Sequence, residues 1–232
     1  MAVCRSNAKD MSSQCFLLLR RASAPALGPL RLTDTAAQAL ARVLPILGCG
    51  EEAASMAFDG LARAHADDPA ASGALRSIAA EELTHDALIR SVAVCLPSPN
   101  GIAGVLALTR RFHVDLGRGD TTAHLSRIAA LDSAVCTILA RLFRPGAPLM
   151  ADATVASVFR RIARDEAWHV RVSRGLATDR RDGRILREIA GLAREALARL
   201  LSLAADDFEA LGVDSDRLLF DLARLPDGLF GG

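Results

Sequence analysis

Two Glu-x-x-His pairs, each in the middle of an apolar helical stripe, constrain this chain more than any other feature of its sequence. The pairs are Glu82 with His85 and Glu166 with His169. Residues three apart share one face of an α-helix, so the two side chains of each pair can bind the same metal ion. One such pair arises easily by chance, but two in register with apolar stripes do not. The stripes continue through Leu75, Ile78, Ile89 and Val92 around the first pair, and through Val155, Phe159, Ile162, Ser173 and Leu176 around the second.

Most of the sequence consists of long stretches of helix-forming residues that are separated by prolines, glycines and capping residues. Aromatic residues make up only 4% of the 232 residues and tyrosine is absent, which is poor material for a β-sandwich. Alanine, leucine and arginine favour helices, so we predict an all-α fold. Pro45, Gly48 and Gly50 are expected to disturb the first half of the first helix. From capping residues, prolines and glycines, we expect helices over residues 34–66, 70–96, 102–116, 121–144, 152–178, 183–205 and 215–224.

The lengths of the links between these helices predict their connections. The first and second long helices are joined by a short link, as are the third and fourth, whereas a long stretch separates the second from the third. Short links join antiparallel neighbours, and one long link lets the second pair return along the first. We therefore expect an N-terminal arm over 1–32, a four-helix bundle with one long crossover over 33–178, and additional C-terminal helices packed on the bundle over 179–232.

The predicted helices over 34–66 and 121–144 each carry a carboxylate that could join the two Glu-x-x-His pairs. Asp132 is the single charge on an otherwise apolar face, and a buried carboxylate needs a cation or a strong hydrogen bond. On the first long helix, helical phase favours Glu51, and the adjacent Glu52 is the alternative. With the two Glu-x-x-His pairs, the set comprises four carboxylates and two imidazoles. Its four negative charges balance two divalent ions, and such donors suit iron or manganese better than zinc.

This pattern of ligands resembles that of the ferritin-like di-iron carboxylate proteins, over residues 34–177. The separations of 31 residues from Glu51 to Glu82 and 34 from Asp132 to Glu166 are similar to those in the oxygenase and reductase branch. Asp132 departs from the family, in which most members have glutamate. The resemblance implies a ferritin-like bundle that holds two iron ions, with manganese or a mixed pair as alternatives. It also implies that Glu81 orients His169 and that Asp165 orients His85. The ligands would be Glu51, Glu82, His85, Asp132, Glu166 and His169.

Charge and cysteine patterns exclude several other classes of protein. The net charge of +1 does not indicate binding to nucleic acid or to anionic membranes. No segment approaches the roughly 20 apolar residues of a membrane-spanning helix. The five cysteines include no Cys-x-x-Cys pair, which excludes a rubredoxin-like iron site and argues against a disulfide framework. The absence of tyrosine excludes the tyrosyl radical of ordinary ribonucleotide reductase subunits. We expect a cytoplasmic monomer or homodimer with neither nucleic acid nor membrane as a partner.

These observations favour a di-iron oxygenase or oxidase that uses dioxygen to hydroxylate, desaturate or N-oxygenate a small organic substrate. Phe58, Leu139 and Phe159, one or two turns from the ligands, are candidate walls of an apolar substrate pocket. An external electron donor, either a ferredoxin or a reductase, is expected because the chain has no flavin, nicotinamide or iron–sulfur motif. A ferroxidase or peroxide-scavenging protein and a metal-free helical interaction module are the alternatives.

The remaining histidines are interpreted as structural residues. His65 and His124 are expected on a polar face or as hydrogen-bonded core residues. His113 follows Arg110 and Arg111 in the connecting stretch, where a surface position is expected.

Overall fold

The computed structural model describes residues 28–231, and over that range the chain consists of helices joined by loops, with no β-strand. The all-α prediction is confirmed, and most expected helix ends agree with the structure to within a few residues. The arm expected over residues 1–32 lies mostly outside the described residues. The α-helices are α1 (Asp34–Ala64), α2 (Pro69–Ala93), α3 (Ala103–Leu116), α4 (Thr121–Leu142), α5 (Ala153–Thr178), α6 (Gly183–Leu201), α7 (Ala205–Ala210) and α8 (Ser215–Ala223).

The four long helices, α1, α2, α4 and α5, each begin at a side-chain cap. Thr33 accepts a hydrogen bond from the backbone N–H of residue 36, and Asp68 and Asp120 each accept one from the third residue after them. Asp152 accepts two, from the amides of residues 154 and 155. Each such cap satisfies a backbone donor that the helix leaves unpaired and contributes about 1 kcal/mol. Short polar residues in the sequence thus define where the helices start.

Helix α1 runs without interruption through Pro45, so the disturbance expected in its first half does not break the helix. A proline in a helix interior costs about 3 kcal/mol, because it removes a hydrogen bond and crowds the preceding turn. Leu40, Val43 and Leu44 on the preceding turn are almost completely buried. Burial of each such side chain contributes about 1.5–3 kcal/mol, so the packing of this face outweighs the cost of the proline.

Two apolar clusters lie at opposite ends of the four long helices. One cluster combines the N-terminal halves of α1 and α5 with the C-terminal halves of α2 and α4. The other combines the C-terminal ends of α1 and α5 with the N-terminal halves of α2 and α4. Helices α1 and α5 therefore run in one direction and α2 and α4 in the other. Helix α3 lies in the connection that returns the chain from the end of α2 to the start of α4.

The C-terminal helices pack on the long helices and extend both clusters. Phe208 and Leu222 belong to the first cluster, and Leu186 and Ala190 belong to the second. The side chain of Arg194 on α6 is 1% exposed and links α6 to α4 and α8. It donates hydrogen bonds to the backbone carbonyls of Leu222, Ala130, Asp221 and Arg224 and to the Ser133 hydroxyl, over 2.6–3.2 Å.

The domain boundaries at residues 32 and 178 stay a prediction. Both apolar clusters contain residues from the long helices and from the C-terminal helices, so the packing does not mark a boundary between them.

Among the helices of residues 28–231, none combines the length and the apolar character needed to cross a lipid bilayer.

Candidate metal centre

A layer of charged and histidine side chains separates the two apolar clusters. All four long helices contribute to it: α1 and α4 give one carboxylate each, and α2 and α5 give a Glu-x-x-His pair each. Every member is buried, and both imidazoles are 0% exposed. The stripes that place apolar residues in the clusters place these polar residues between them, because the helical spacing is unchanged. The members are Glu51, Glu82, His85, Asp132, Glu166 and His169.

The side chains in this layer form two overlapping groups. Glu51, Glu82, His85 and Glu166 form the first group, and Asp132, Glu166 and His169 form the second. In each group, one ligand atom from every member lies within 4.8 Å of the others. Glu166 belongs to both groups, so its carboxylate lies where it can bridge two ions. The structure thus brings together all six residues predicted as ligands, although their ligand roles stay predictions.

The α1 ligand was left open between two adjacent glutamates, and the geometry favours Glu51. Its carboxylate oxygen lies 3.3 Å from Nδ1 of His85. Glu52 is half-buried and belongs to neither group. Adjacent helical residues point about 100° apart, so only one of the two can face the bundle interior.

The two nitrogens of His85 have different surroundings. Nε2 lies 3.1 Å from Oδ2 of Asp165, and Nδ1 lies 3.3–3.5 Å from oxygens of Glu51, Glu82 and Glu166. When Nε2–H donates to Asp165, the lone pair of Nδ1 faces three carboxylates, which is unfavourable without a cation between them. If Nδ1 carried a proton instead, it could donate a hydrogen bond to only one of the three carboxylates. A metal ion coordinated by Nδ1 would satisfy all of them.

His169 repeats this arrangement from α5. Its Nε2 lies 2.8 Å from Oε2 of Glu81, and its Nδ1 lies 2.9 Å from Oε1 of Glu82. The second contact is not aligned for a hydrogen bond, and both of its atoms, together with Oδ2 of Asp132, lack a hydrogen-bond partner among the described residues. A buried polar atom left unpaired costs about 1–3 kcal/mol. Three such atoms at convergent positions fit a bound metal ion.

The carboxyl groups of the layer have strongly shifted pKa values. Burial and the charge of Glu82 raise the pKa of Glu51 well above its usual range, and burial and Glu166 do the same for Asp132. Burial and Glu82 raise the pKa of Glu166 to about 7. Burial alone would raise the pKa of Glu82 as well. The hydrogen bonds from the two imidazoles beside it outweigh burial and lower its pKa to about 2. Four ionised carboxylates would carry more negative charge than the two imidazoles can balance, so the layer holds protons when no cation is bound and would be stabilised by cations.

Glu81 and Asp165 hold the two imidazoles from outside the layer, in the pairs that the family resemblance implies. Their side chains are 38% and 23% exposed, respectively, whereas the imidazoles they contact are fully buried. A carboxylate that accepts from Nε2–H fixes the tautomer and the ring angle, and so directs Nδ1 into the layer.

Replacing Glu81 by glutamine or Asp165 by asparagine is expected to weaken metal binding by about 10–100-fold. Each change keeps the shape of the side chain but removes the charge that fixes the imidazole. The affinity can be measured by titration with cobalt(II) in competition with a chelator. Asp59→Asn is the matched control, because Asp59 is an exposed acid paired with Arg63 outside the layer. Affinities within twofold of the parent protein would contradict the orienting role.

An apolar cavity of about 90 Å³ reaches the carboxylates between α1 and α4. Side chains of α3 and α6 close its outer side, so the crossover and a C-terminal helix both cover the centre. The carboxylates that line it are Glu51, Glu82, Asp132 and Glu166, and its other walls include Ile46, Ala54, Leu116, Ile128, Val135 and Leu200.

The three residues expected to form the substrate pocket do not line this cavity. Phe58 packs edge-on against the ring of His169, with 6.0 Å between ring centroids. Phe159 stacks on Phe143 at 4.9 Å, and Leu139 is buried in the first cluster. The difference arises because a helical wheel shows which face of a helix is buried, but not which gap between helices stays unfilled; the role of these three residues stays a prediction.

Two histidines also line the cavity, and neither position was expected. His113 was placed on the surface, yet it lies beside α1, where a Cβ on Gly50 would come within 3.7 Å of its Nε2. The spacing of Thr109, His113 and Leu116 along α3 is the signal that could have revealed this buried face. Burial lowers the pKa of His113 to about 4, and burial together with Arg127 lowers that of His124 to about 4.

His65 matches its interpretation as a hydrogen-bonded core residue. It is buried, and its Nδ1 lies 2.8 Å from the carbonyl oxygen of Leu61.

Comparison of the sequence with protein-family models found no match, and a search of curated proteins found no similar sequence. The interpretation of the centre therefore depends on its own geometry and chemistry.

Proposed function

We propose that this protein is a non-haem di-iron oxygenase or oxidase with a ferritin-like four-helix bundle. It would use dioxygen to hydroxylate, desaturate or N-oxygenate a small organic molecule. One observation carries the proposal: a buried layer of four carboxylates and two imidazoles adjoins an apolar cavity. The antiparallel directions of the helices and the connection through α3 support the ferritin-like topology.

Each ion would be held by one imidazole and by carboxylates from the surrounding helices. His85 and Glu51 would hold the first ion, and His169 and Asp132 the second, with Glu82 and Glu166 between them. Bound ferrous iron supplies the electrons and the open coordination positions that dioxygen reduction requires. Manganese or a mixed manganese–iron pair would suit the same donor atoms.

The residues around the centre would exclude water and orient the reactants. The two apolar clusters close the layer from both ends, and the cavity leaves room for an apolar group beside the carboxylates. Glu81 and Asp165 keep both imidazoles in the tautomer that coordinates metal through Nδ1. An external ferredoxin or reductase would supply electrons between turnovers.

The lining of the cavity favours an organic substrate over iron itself. Aliphatic side chains and alanines form most of its walls, and such walls do not attract a hydrated cation. A ferroxidase would be expected to lead iron to its centre along acidic side chains.

Dioxygen uptake by the ferrous-loaded protein tests this proposal. After anaerobic loading, exposure to dioxygen is expected to consume the gas and to produce a visible absorption band, with about two irons per chain retained. The protein should elute as a monomer or dimer in size-exclusion chromatography. Loaded protein that takes up no dioxygen would contradict the proposal. A large assembly that accumulates iron far beyond the ligand set would favour the ferroxidase alternative.

A further inference from the structure

The cavity beside the carboxylates is too small to hold a typical organic substrate entirely. An engineered protein cavity of about 150 Å³ accommodates one benzene molecule. The volume here is about 90 Å³, so only a few non-hydrogen atoms fit. A substrate of ordinary size must therefore extend beyond this inner cavity.

A surface depression of about 280 Å³ adjoins the inner cavity. It lies between the C-terminal half of α1 and the loop that follows α3, where Gly117 and Gly119 form part of its wall. Ala57 and His124 line both the depression and the inner cavity. These two side chains are therefore the partition between the surface and the space beside the carboxylates.

Both spaces exist because α1 carries small residues along the side that faces them. Gly50, Ala54 and Ala57 line the inner cavity, and Gly60 and Ala64 continue the same side along the depression. The 15 residues from Gly50 to Ala64 extend over about 21 Å of helix. The combined space is thus long and narrow, and its inner part is mostly apolar.

His124 is the polar side chain at the junction of the two spaces. Its side chain lines both of them. Burial and Arg127 keep its pKa near 4, so the ring is neutral at neutral pH. A neutral imidazole offers one donor and one acceptor, which suits a hydroxyl, carbonyl or amine group of a ligand.

Resting on the function proposed above, we infer that the depression and the inner cavity form one elongated binding site that ends at the carboxylate layer. Its occupant is a slim, mostly apolar molecule whose single hydrogen-bonding group binds His124. The apolar end of the molecule passes Ala57 and lies beside the metal position.

The rate at which azide reaches the iron-loaded, oxidised protein tests the route. Azide is a small anion that coordinates ferric iron and gives an absorption band, so its entry can be followed by stopped-flow absorption. Ala57→Phe fills the junction and is expected to slow azide binding on the order of tenfold. Ala80→Phe is the matched control, because Ala80 is exposed on α2 away from both spaces. An unchanged rate in iron-loaded Ala57→Phe would overturn the route.

Hexanol tests the role of His124. In the parent protein, hexanol should occupy the site and slow azide binding. In His124→Leu, the concentration needed for the same effect should rise about tenfold, as for loss of one neutral hydrogen bond. An equal effect of hexanol in both proteins would overturn the assignment of His124.

A crystallographic measurement tests the elongated binding site independently of the proposed di-iron function. Metal-free crystals soaked in bromohexanol should show an anomalous bromine peak in the inner cavity and the hydroxyl group at His124. The absence of bromine from the inner cavity would overturn the elongated site. Bromine in that cavity, in a protein that binds no iron, would support the site while overturning the proposed function.

Discussion

Replacing Glu166 by glutamine is expected to remove both metal ions from the protein. Glu166 is the residue shared by the two ligand groups, so its loss takes a ligand from each ion position. Glutamine keeps the shape of the side chain but has neither the negative charge nor the second oxygen donor. The metal content should fall from about two ions per chain to near zero, as measured by mass spectrometry after ferrous loading and gel filtration.

Glu52→Gln is the matched control for this substitution. Glu52 follows Glu51 in the sequence but lies outside both groups, so this variant should keep its metal. Two ions retained in Glu166→Gln would contradict the proposed ligand set. Loss of metal in Glu52→Gln would instead move the α1 ligand from Glu51 to its neighbour.

Replacing Arg194 by methionine is expected to lower the free energy of unfolding by about 3–5 kcal/mol. The guanidinium is buried and donates hydrogen bonds to four backbone carbonyls and one hydroxyl in α4, α8 and the residue after α8. Methionine fills much of the volume but leaves the carbonyls of Asp221, Leu222 and Arg224 without this donor, whereas Ala130 still accepts from the Ser133 hydroxyl. Urea denaturation followed by far-ultraviolet circular dichroism measures the change.

Arg199 on the same helix provides the control for this prediction. Its side chain is 70% exposed and pairs with Glu195, which is also exposed, so Arg199→Met should change the free energy of unfolding by less than about 0.5 kcal/mol. An Arg194→Met protein as stable as the control would show that this hydrogen-bond network does not hold α6 and α8 in place.

The helices of this protein could be predicted from its sequence because their signals are local. Caps such as Thr33 and Asp152 accept hydrogen bonds from amides only two or three residues away, so their effect does not depend on the rest of the fold. Pro45 shows the limit of this reasoning. Its local cost is outweighed by the burial of the leucines beside it, and that burial depends on helices far away in the sequence.

The members of the buried polar layer could be predicted because helical phase places them on the buried stripes. Glu82 and His85 share a face by their spacing alone, and phase also favours Glu51 over Glu52. The distances between layer side chains from different helices required the structure, because they depend on the relative position of each helix along its neighbour.

The cavity could not be predicted because it is a gap between helices rather than a property of one helix. Phe58 and Phe159 lie near the ligands in the sequence, yet their rings fill the apolar clusters. His113 enters the cavity because α3 crosses α1 beside Gly50, and no local pattern fixes that crossing.

Diffraction from crystals of the iron-loaded protein, recorded at the iron absorption edge, tests the central proposal most directly. Two anomalous peaks are expected inside the buried layer, one within coordinating distance of Nδ1 of His85 and the other of Nδ1 of His169. Glu166 should lie between them. A layer without an anomalous peak, or iron bound only at surface carboxylates, would contradict a di-iron centre in this protein.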